Sequence, residues 1–398
     1  MRFPWGVSEL ELDVPQERLI PLRRARPPAP LADVAAAVRR ALEEPVGFPP
    51  LRRALTPDDQ IAIAVDENIP RPARLLVPIL EHLTRANIAP DAVTLLCQPP
   101  STGQAWIDEL PEEFEGVRVE MHDPGERSHL AYLATTRHGR RIYLNRTAVD
   151  ADQLVVLSRV TWDPLLGIHA GEGEIFPNLS DSATRADLVK RLSLDVPGAA
   201  SWPVRQEATE VAWLLGAPFL VQAILGAGDE IERVLGGPVE STPLAEKLWS
   251  ERWRVEVERA ADVVIAGLSG ATGTFLDLAR AFAAAARVVK PGGKIVLLST
   301  AAPKLGLAAD LMRSMDEPSQ ALKRILKDKP TDTEAGFLWT SAAEQAHLYL
   351  LSGLPGDTVE EMFATPLENA GQTERFLAGD AACILLPDAE RTLATVRE

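Results

Sequence analysis

The sequence predicts an α/β protein of two domains, each with a mainly parallel sheet flanked by helices, and an active-site cleft between them. Three observations predict this. Short, wholly apolar runs alternate with helical stretches, as in sheets buried on both faces. The alternation occurs twice, before and after a Trp-rich amphipathic segment at Leu248 to Val257. And 398 residues exceed what a single core usually organises. The boundary is placed at 258, giving domains 1–258 and 259–398, with the last helix of the chain free to pack back on the first domain.

From Leu31 to Glu43, the apolar residues Leu31, Val34, Ala37, Val38 and Leu42 fall on one helical face, and Pro45, Pro49 and Pro50 stop the helix. Gln60 to Val65 reads as a buried strand, Ala73 to Ala86 as a helix and Ala92 to Cys97 as the next strand. That order is a βαβ unit, whose strands lie parallel. Val117 to Met121, Arg141 to Leu144 and Gln153 to Ser158 continue the strands. Ser182 to Leu192 and Thr209 to Leu215 read as helices, and Phe219 to Leu225 as a strand. A second cycle runs through strand Asp262 to Gly267, a Gly-rich loop, helix Phe275 to Val289, the turn Lys290 to Gly293 and strand Lys294 to Ser299. A mostly helical stretch and the strand Ala382 to Leu386 complete it.

Composition removes several classes of function. Hydrophobic residues make up 46% of the chain and charged ones 25%, a globular mixture. The 57 acidic against 41 basic residues give a formal charge of −16, which opposes wrapping a phosphate backbone, so no nucleic-acid partner is expected. Two cysteines, Cys97 and Cys383, make neither a disulfide framework nor a CxxC zinc site, and point to a reducing compartment. The first stretch is interrupted by Arg2, Glu9, Glu11 and Asp13, and no apolar run is long enough to span a bilayer. A cytoplasmic protein without a membrane partner is expected.

Ligands of parallel sheets bind at the carboxyl ends of strands, which singles out the loop Asp66-Glu67-Asn68-Ile69-Pro70-Arg71-Pro72. Arg71 suits a carboxylate or phosphate, with Asn68 and Glu67 beside it; the alternative is that Arg71 and Glu67 pair with each other. His122, just after a strand, faces the same end or serves a turn. The segment Trp162 to Pro177 gathers Asp163, His169, Glu172 and Glu174, residue types for acid/base work, although one His with carboxylates is thin for a metal. A Gly-rich turn with solvated glutamates is the competing reading. In the loop Gly267 to Phe275, the backbone around Gly270, Gly273 and Thr274 at a helix start suits an anion such as a nucleotide phosphate, without matching the dinucleotide fingerprint. That loop and the Lys-Pro-Gly-Gly turn also suggest a methyl-donor-dependent transferase, the last-ranked reading.

An ordered set of segments across nearly the whole chain resembles the nickel-pincer-dependent lactate racemase family of α-hydroxyacid racemases and epimerases. The set comprises Ala41 to Leu51, the Asp66 to Pro72 loop, Met121-His122-Asp123-Pro124 and Gly173-Glu174-Ile175-Phe176-Pro177. It continues with Pro218 to Leu225, Ala261 to Ala266 and Val289 to Gly293. The resemblance implies two α/β domains with the site between them, and a lysine-tethered pincer nucleotide holding nickel that accepts and returns a hydride. It also implies two acid/base histidines, a nickel-ligating histidine and an arginine that grips the substrate carboxylate.

Arg71 matches that arginine. The tethering lysine falls at Gly173 and Glu174, the nickel-ligating histidine near Val189 and Lys190, and one acid/base histidine in Gln98 to Ser101; the other falls near Asp163. A further family lysine falls among Ala283, Ala284 and Ala285. The cofactor is therefore left unknown and no metal ligands are assigned. The expected function is racemisation or epimerisation of a small α-hydroxyacid or sugar acid, with His169, Asp163 and Glu174 as catalytic groups. The alternative is a catalytically silent relative that binds a carboxylate or nucleotide. The partner in either case is a small-molecule carboxylate, and oligomeric state is left open.

Overall fold

The computed structural model describes residues 2–6, 8–25, 27–98, 104–194, 202–270, 273–377 and 380–397. The chain divides into two compact units. One comprises Pro27–Leu188 and Pro197–Trp249; the other comprises Met1–Arg26, Val189–Val196 and Ser250–Glu398. The first 26 residues thus share a unit with the last part of the chain, an arrangement that a single cut at 258 does not describe. They form an antiparallel hairpin, β1 (Arg2–Trp5) and β2 (Ser8–Glu11), that sequence reading missed because four-residue strands carry almost no periodic signal.

The first unit contains, in chain order, α1 (Val34–Glu43), β3 (Ile61–Val65), α2 (Ala73–Arg85), β4 (Val93–Cys97) and β5 (Arg118–Met121). The hairpin β6 (Leu130–Thr135) and β7 (Arg141–Asn145) follows, then α3 (Arg146–Asp150), β8 (Gln153–Arg159), the short pair β9 (Thr161–Asp163) and β10 (Gly167–His169), and α4 (Gly171–Ile175). It continues with α5 (Ser182–Leu188), α6 (Pro203–Leu214), β11 (Phe219–Leu225) and β12 (Ile231–Gly237), and α7 (Thr242–Trp253) begins in this unit and ends in the other.

Six of these strands form one sheet in the order β12-β11-β8-β3-β4-β5, parallel except for β12. All five residues of β3 are buried because both faces are covered. Ile61, Ile63 and Val65 pack with Val38, Leu42, Leu76 and Ile79 of α1 and α2. Ala62 and Ala64 pack on the other face with Ile175 of α4 and Ala208 and Val211 of α6. A side-chain period of 2 sorts each strand between the two cores, so a one-residue slip would exchange them. Asp33 starts α1 by accepting the Ala36 amide at 2.8 Å.

The second unit adds β13 (Arg254–Val257), β14 (Ala261–Gly267), α8 (Phe275–Ala286), β15 (Val289–Leu298), α9 (Leu307–Arg313), α10 (Pro318–Asp328) and α11 (Thr333–Gln345). After these come β16 (His347–Leu351), α12 (Gly356–Glu361), β17 (Ala364–Pro366), β18 (Cys383–Leu386) and β19 (Leu393–Val396). Its sheet runs β17-β16-β15-β14-β18, all parallel. The last element among the described residues is the strand β19, which pairs parallel with β13 in the same unit.

Lys290 to Gly293 does not end a helix. The register moves from Ala261–Val289 to Val263–Lys294, so this segment is an excursion within β15, and Gly292 supplies its φ of +72°. The strands β16 and β17 lay hidden in the stretch read as helical.

Candidate functional site

In the six-stranded sheet, the chain leaves β3 towards β4 and β5 on one side, whereas β8 leads to β11 and β12 on the other. The topological switch point therefore lies between the carboxyl ends of β3 and β8, where ligands of such sheets bind. On the face covered by α4 and α6, the inward positions change there from apolar to polar. Ala64 is followed by Asp66, Val156 by Ser158 and Leu220 by Gln222, all three polar residues buried.

Asp66 is 3% exposed and fully engaged. Its Oδ1 accepts the backbone amide and Nδ2 of Asn68, each at 3.0 Å, while its Oδ2 accepts the Arg159 amide at 3.2 Å and lies 3.3 Å from Arg159 Nε. Arg159 also donates Nη1 to the Asn68 carbonyl at 3.3 Å. This ties the loop after β3 to the end of β8. Beside it, α4 carries Glu174, whose Oε2 accepts from Asn178 Nδ2 at 3.0 Å. Burial first, and then the negative charge of Asp66, push the Glu174 carboxyl up to about 8, so that it holds its proton at neutral pH.

The predicted residues divide accordingly. Glu174 and Asn68 belong to this cluster. Asp163 is near enough for its charge to raise Glu174 further, but its Oδ1 accepts the amides of Leu165 and Leu166 at 2.7 and 2.8 Å, the work of a turn cap. His169 is buried, with Nδ1 2.9 Å from the Ala170 carbonyl. Arg71 does not pair with Glu67. Its exposed guanidinium lies 3.8 Å from Glu109, a surface pair contributing about 0–1 kcal/mol that a ligand carboxylate could displace. Its backbone sits at φ +50°, a strained setting for a non-glycine residue at the start of α2. Glu67 instead accepts from Trp106 Nε1 at 3.1 Å, and burial raises its carboxyl. His122 stands at the carboxyl end of β5, 1% exposed.

The loop proposed for an anion lies in the second unit. Gly270, at φ +80°, follows Ser269, whose amide and hydroxyl both donate to the buried Glu390. Thr274 and Asp277 close the start of α8 as a reciprocal capping box. Gly273 packs so closely that an added Cβ would lie 2.5 Å from Leu268 Cδ2. Two carboxylates and a self-capped helix start disfavour a phosphate at Gly270, Gly273 and Thr274. Ala271 and Thr272 of this loop, and Pro99 to Ser101 of the segment standing for the family histidine, lie outside the described residues.

A cleft of about 610 Å³ occupies the opposite, amino end of the six-stranded sheet, lined by Gln60, Thr94, Arg118, Glu120, Arg146 and Thr147. Its polar groups are already matched: Thr147 to Glu120 at 2.6 Å, Arg118 to Gln60 at 3.3 Å, and Arg146 to the carbonyls of Ser128 and Leu130. Size alone does not make it the site.

A lysine-tethered cofactor does not fit the turn into α4. A Cβ placed on Gly173 would strike His169 Nδ1, with Cε1 at 2.8 Å and Leu166 Cδ1 at 3.0 Å, so a longer side chain has no room there. The next position is the buried Glu174. Among the described residues no cluster of three or more His, Cys, Asp or Glu side chains is arranged to hold a metal ion.

Sequence reasoning singled out the loop that begins at Asp66 without giving Asp66 itself a role, and passed over Arg159. The signal was present, since each is the first charged residue at the carboxyl end of a buried strand. What was missing was the knowledge that β3 and β8 are neighbours.

Residues 5–187 match the family model described as the lactate racemase N-terminal domain. The chain is 20% identical to a lactate racemase of Thermoanaerobacterium thermosaccharolyticum over 98% of this chain and 97% of that one. It resembles the structure of the lactate racemase apoprotein from the same organism with a TM-score of 0.79, at 19% identity and covering 100% of this chain and 99% of that one. A crystal structure of a Thermotoga maritima protein superposes with a TM-score of 0.67 at 11% identity, over 94% of this chain and all of that one. The family resemblance and the α/β fold expected from the sequence are thereby borne out. Among the described residues, no helix is long and apolar enough to cross a membrane.

Proposed function

We propose, on the premise that residues 5–187 belong to the lactate racemase N-terminal domain family, that this chain binds a small α-hydroxyacid at the carboxyl ends of β3 and β8 without a lysine-tethered cofactor. Isomerisation at the α-carbon is the reaction the family points to. The observation that carries the reading is Glu174, buried and proton-holding, set beside the Asp66–Arg159 pair at the switch point.

Arg71 offers the ligand carboxylate a charge-assisted hydrogen bond in place of its loose contact with Glu109. Asp66 and Arg159 tie down the first turn of the loop that carries Arg71. Glu174 releases and recovers a proton close to neutral pH, the property an acid/base group needs. No step is routed through nickel or a pincer nucleotide, because the residues at Gly173 and Glu174 do not accommodate the tether. That same crowding of Gly173 by His169 favours the second reading, a catalytically silent relative that keeps the binding site.

Calorimetric titration of the full chain with D- and L-lactate, alongside chiral chromatography of the incubated acids, separates the readings. Binding that weakens about tenfold in Arg71→Gln is expected. Turnover abolished by Glu174→Gln supports the enzyme, and binding without turnover supports the silent relative. If neither lactate nor another 2-hydroxyacid binds, both readings fail.

A further inference from the structure

The turn Lys290 to Gly293 borders an open pocket of about 330 Å³ at the amino end of the five-stranded sheet. On β14 the register passes from Ala261–Val289 to Val263–Lys294, and on β16 it starts at Lys294–His347. Residues 290–293 thus have no register partner on either neighbouring strand and stand out from the sheet as a rim. Gly293 is fitted so closely that an added Cβ would lie 2.9 Å from the carbonyl oxygens of both Asp262 and Lys290, whereas a Cβ on Gly292 would meet open space. Another wall is held by Arg18, whose Nε donates to the Ala381 carbonyl at 3.1 Å and whose Nη1 donates to the Leu377 carbonyl at 2.6 Å. Phe376 belongs to that wall, its ring centroid 4.4 Å from that of Tyr349. The pocket carries one carboxylate, Asp262, which is already engaged: its Oδ1 lies 2.6 Å from Lys290 Nζ, and its Oδ2 accepts the Ala382 amide at 2.9 Å. Two further cations remain. Arg375 Cζ lies 4.8 Å and Lys294 Nζ 5.9 Å from the centroid of the same Phe376 ring. Among the described residues neither side chain has an ion pair or a hydrogen bond.

A ring face attracts a cation only weakly, and an anionic oxygen is the stronger partner for both. We propose that Lys294 and Arg375 bind a phosphate dianion in this pocket, either free or as the phosphoryl group of a small monoester. Two unmatched positive charges meet two negative ones. The planar fork of Arg375 suits two phosphoryl oxygens, and the Lys294 ammonium acts on a third as a point charge. The volume stands at the small end of ligand pockets, with room beside a phosphoryl group for a few carbon atoms. All of these residues belong to the second unit, so the inference does not rest on the reading of Glu174. A dicarboxylate carries the same charge on two separate planar groups and is the competing occupant.

The test is calorimetric titration of the full chain with inorganic phosphate, glycerol 3-phosphate and malonate at about 0.15 M salt, where loose surface attraction is screened. Lys294→Met and Arg375→Met should each weaken phosphate roughly tenfold, and the two together should abolish its binding, whereas Lys294→Arg, which keeps the charge, should retain it. Tighter binding of glycerol 3-phosphate than of phosphate upholds the site with a monoester as its occupant, and equal affinities uphold it with the free ion. Phosphate affinity that survives the double substitution overturns the proposal, as does no binding of either phosphate. Malonate bound as tightly as phosphate overturns the phosphoryl assignment. Both side chains are exposed, so the Tm without ligand should stay within about 2 °C of the wild type. A larger fall with phosphate affinity unchanged assigns the two cations to packing and rejects the site. Should a variant not fold, the wild type decides: phosphate should slow acetylation of Lys294 by acetic anhydride, read by peptide mass mapping, and an unchanged rate rejects the site.

Discussion

Glu174 shows how burial turns an ordinary side chain into a pH-dependent one. Its pKa is near 4.5 when solvated and about 8 when folded, so between those values the folded state binds more protons than the unfolded chain. Its contribution to stability is therefore complete below about 4.5 and lost as pH rises through about 8. Burial is the largest influence; the charges of Asp66 and Asp163 act in the same direction, and the Asn178 hydrogen bond and the Arg159 charge act against it. Glu174→Gln should flatten the decline in urea-unfolding free energy over that range, leaving the protein no less stable than the wild type at pH 8. A slope unchanged by the substitution contradicts the assignment. Next to it, Gly173→Ala should cost about 1–3 kcal/mol, because its methyl meets the buried His169 ring. Adding His169→Ala should recover most of that loss, and the coupling in a double-mutant cycle measures the clash.

At the scale of elements, close approach of backbones decides how helices lie on the sheet. Gly236 in β12 faces α1 so tightly that a Cβ would strike the Ala41 carbonyl oxygen, with the carbonyl carbon at 2.7 Å. Backbone cannot swing aside as a side chain can. Gly236→Ala should therefore destabilise the protein by about 1–3 kcal/mol or more in urea titration, with Leu42 and Phe219 displaced from their packing. Both sheets also place a buried carboxyl with a raised proton affinity at the switch in strand order. Glu174 stands at the β3/β8 switch, while Glu390, pushed up to about 7 by burial, meets Ser269 between the ends of β14 and β18. In each case burial at the end of a parallel sheet is the dominant cause.

For the whole molecule, each unit carries one buried cysteine: Cys97 at the end of β4 and Cys383 at the start of β18. Burial pushes the Cys97 thiol up to about 12 and raises Cys383 as well, so neither forms a reactive thiolate at neutral pH. A thiol reagent should label neither in the native protein. On addition of denaturant, peptide mass mapping should find each label appearing as its own unit opens, so the two thiols report separately on the two units. Rapid labelling of either in buffer contradicts the buried placement.

The sequence by itself determined the class of fold, because a strand buried on both faces must be apolar at every position, as in Ile61–Val65 and Phe219–Leu225, and such runs alternate here with amphipathic helices. Short elements escaped it: β1, β2 and β17 are too brief for periodicity, and Lys290 to Gly293 carries turn residues within a strand. Tertiary structure alone decided the candidate site. Asp66 and Arg159 are 93 residues apart in sequence and meet only because β3 and β8 are paired. Glu174 became proton-holding, and His169 closed off Gly173, through the packing of α4 against the sheet. Charge and acidity depend on which groups share a desolvated space, and that is a property of the folded chain, not of its order of residues.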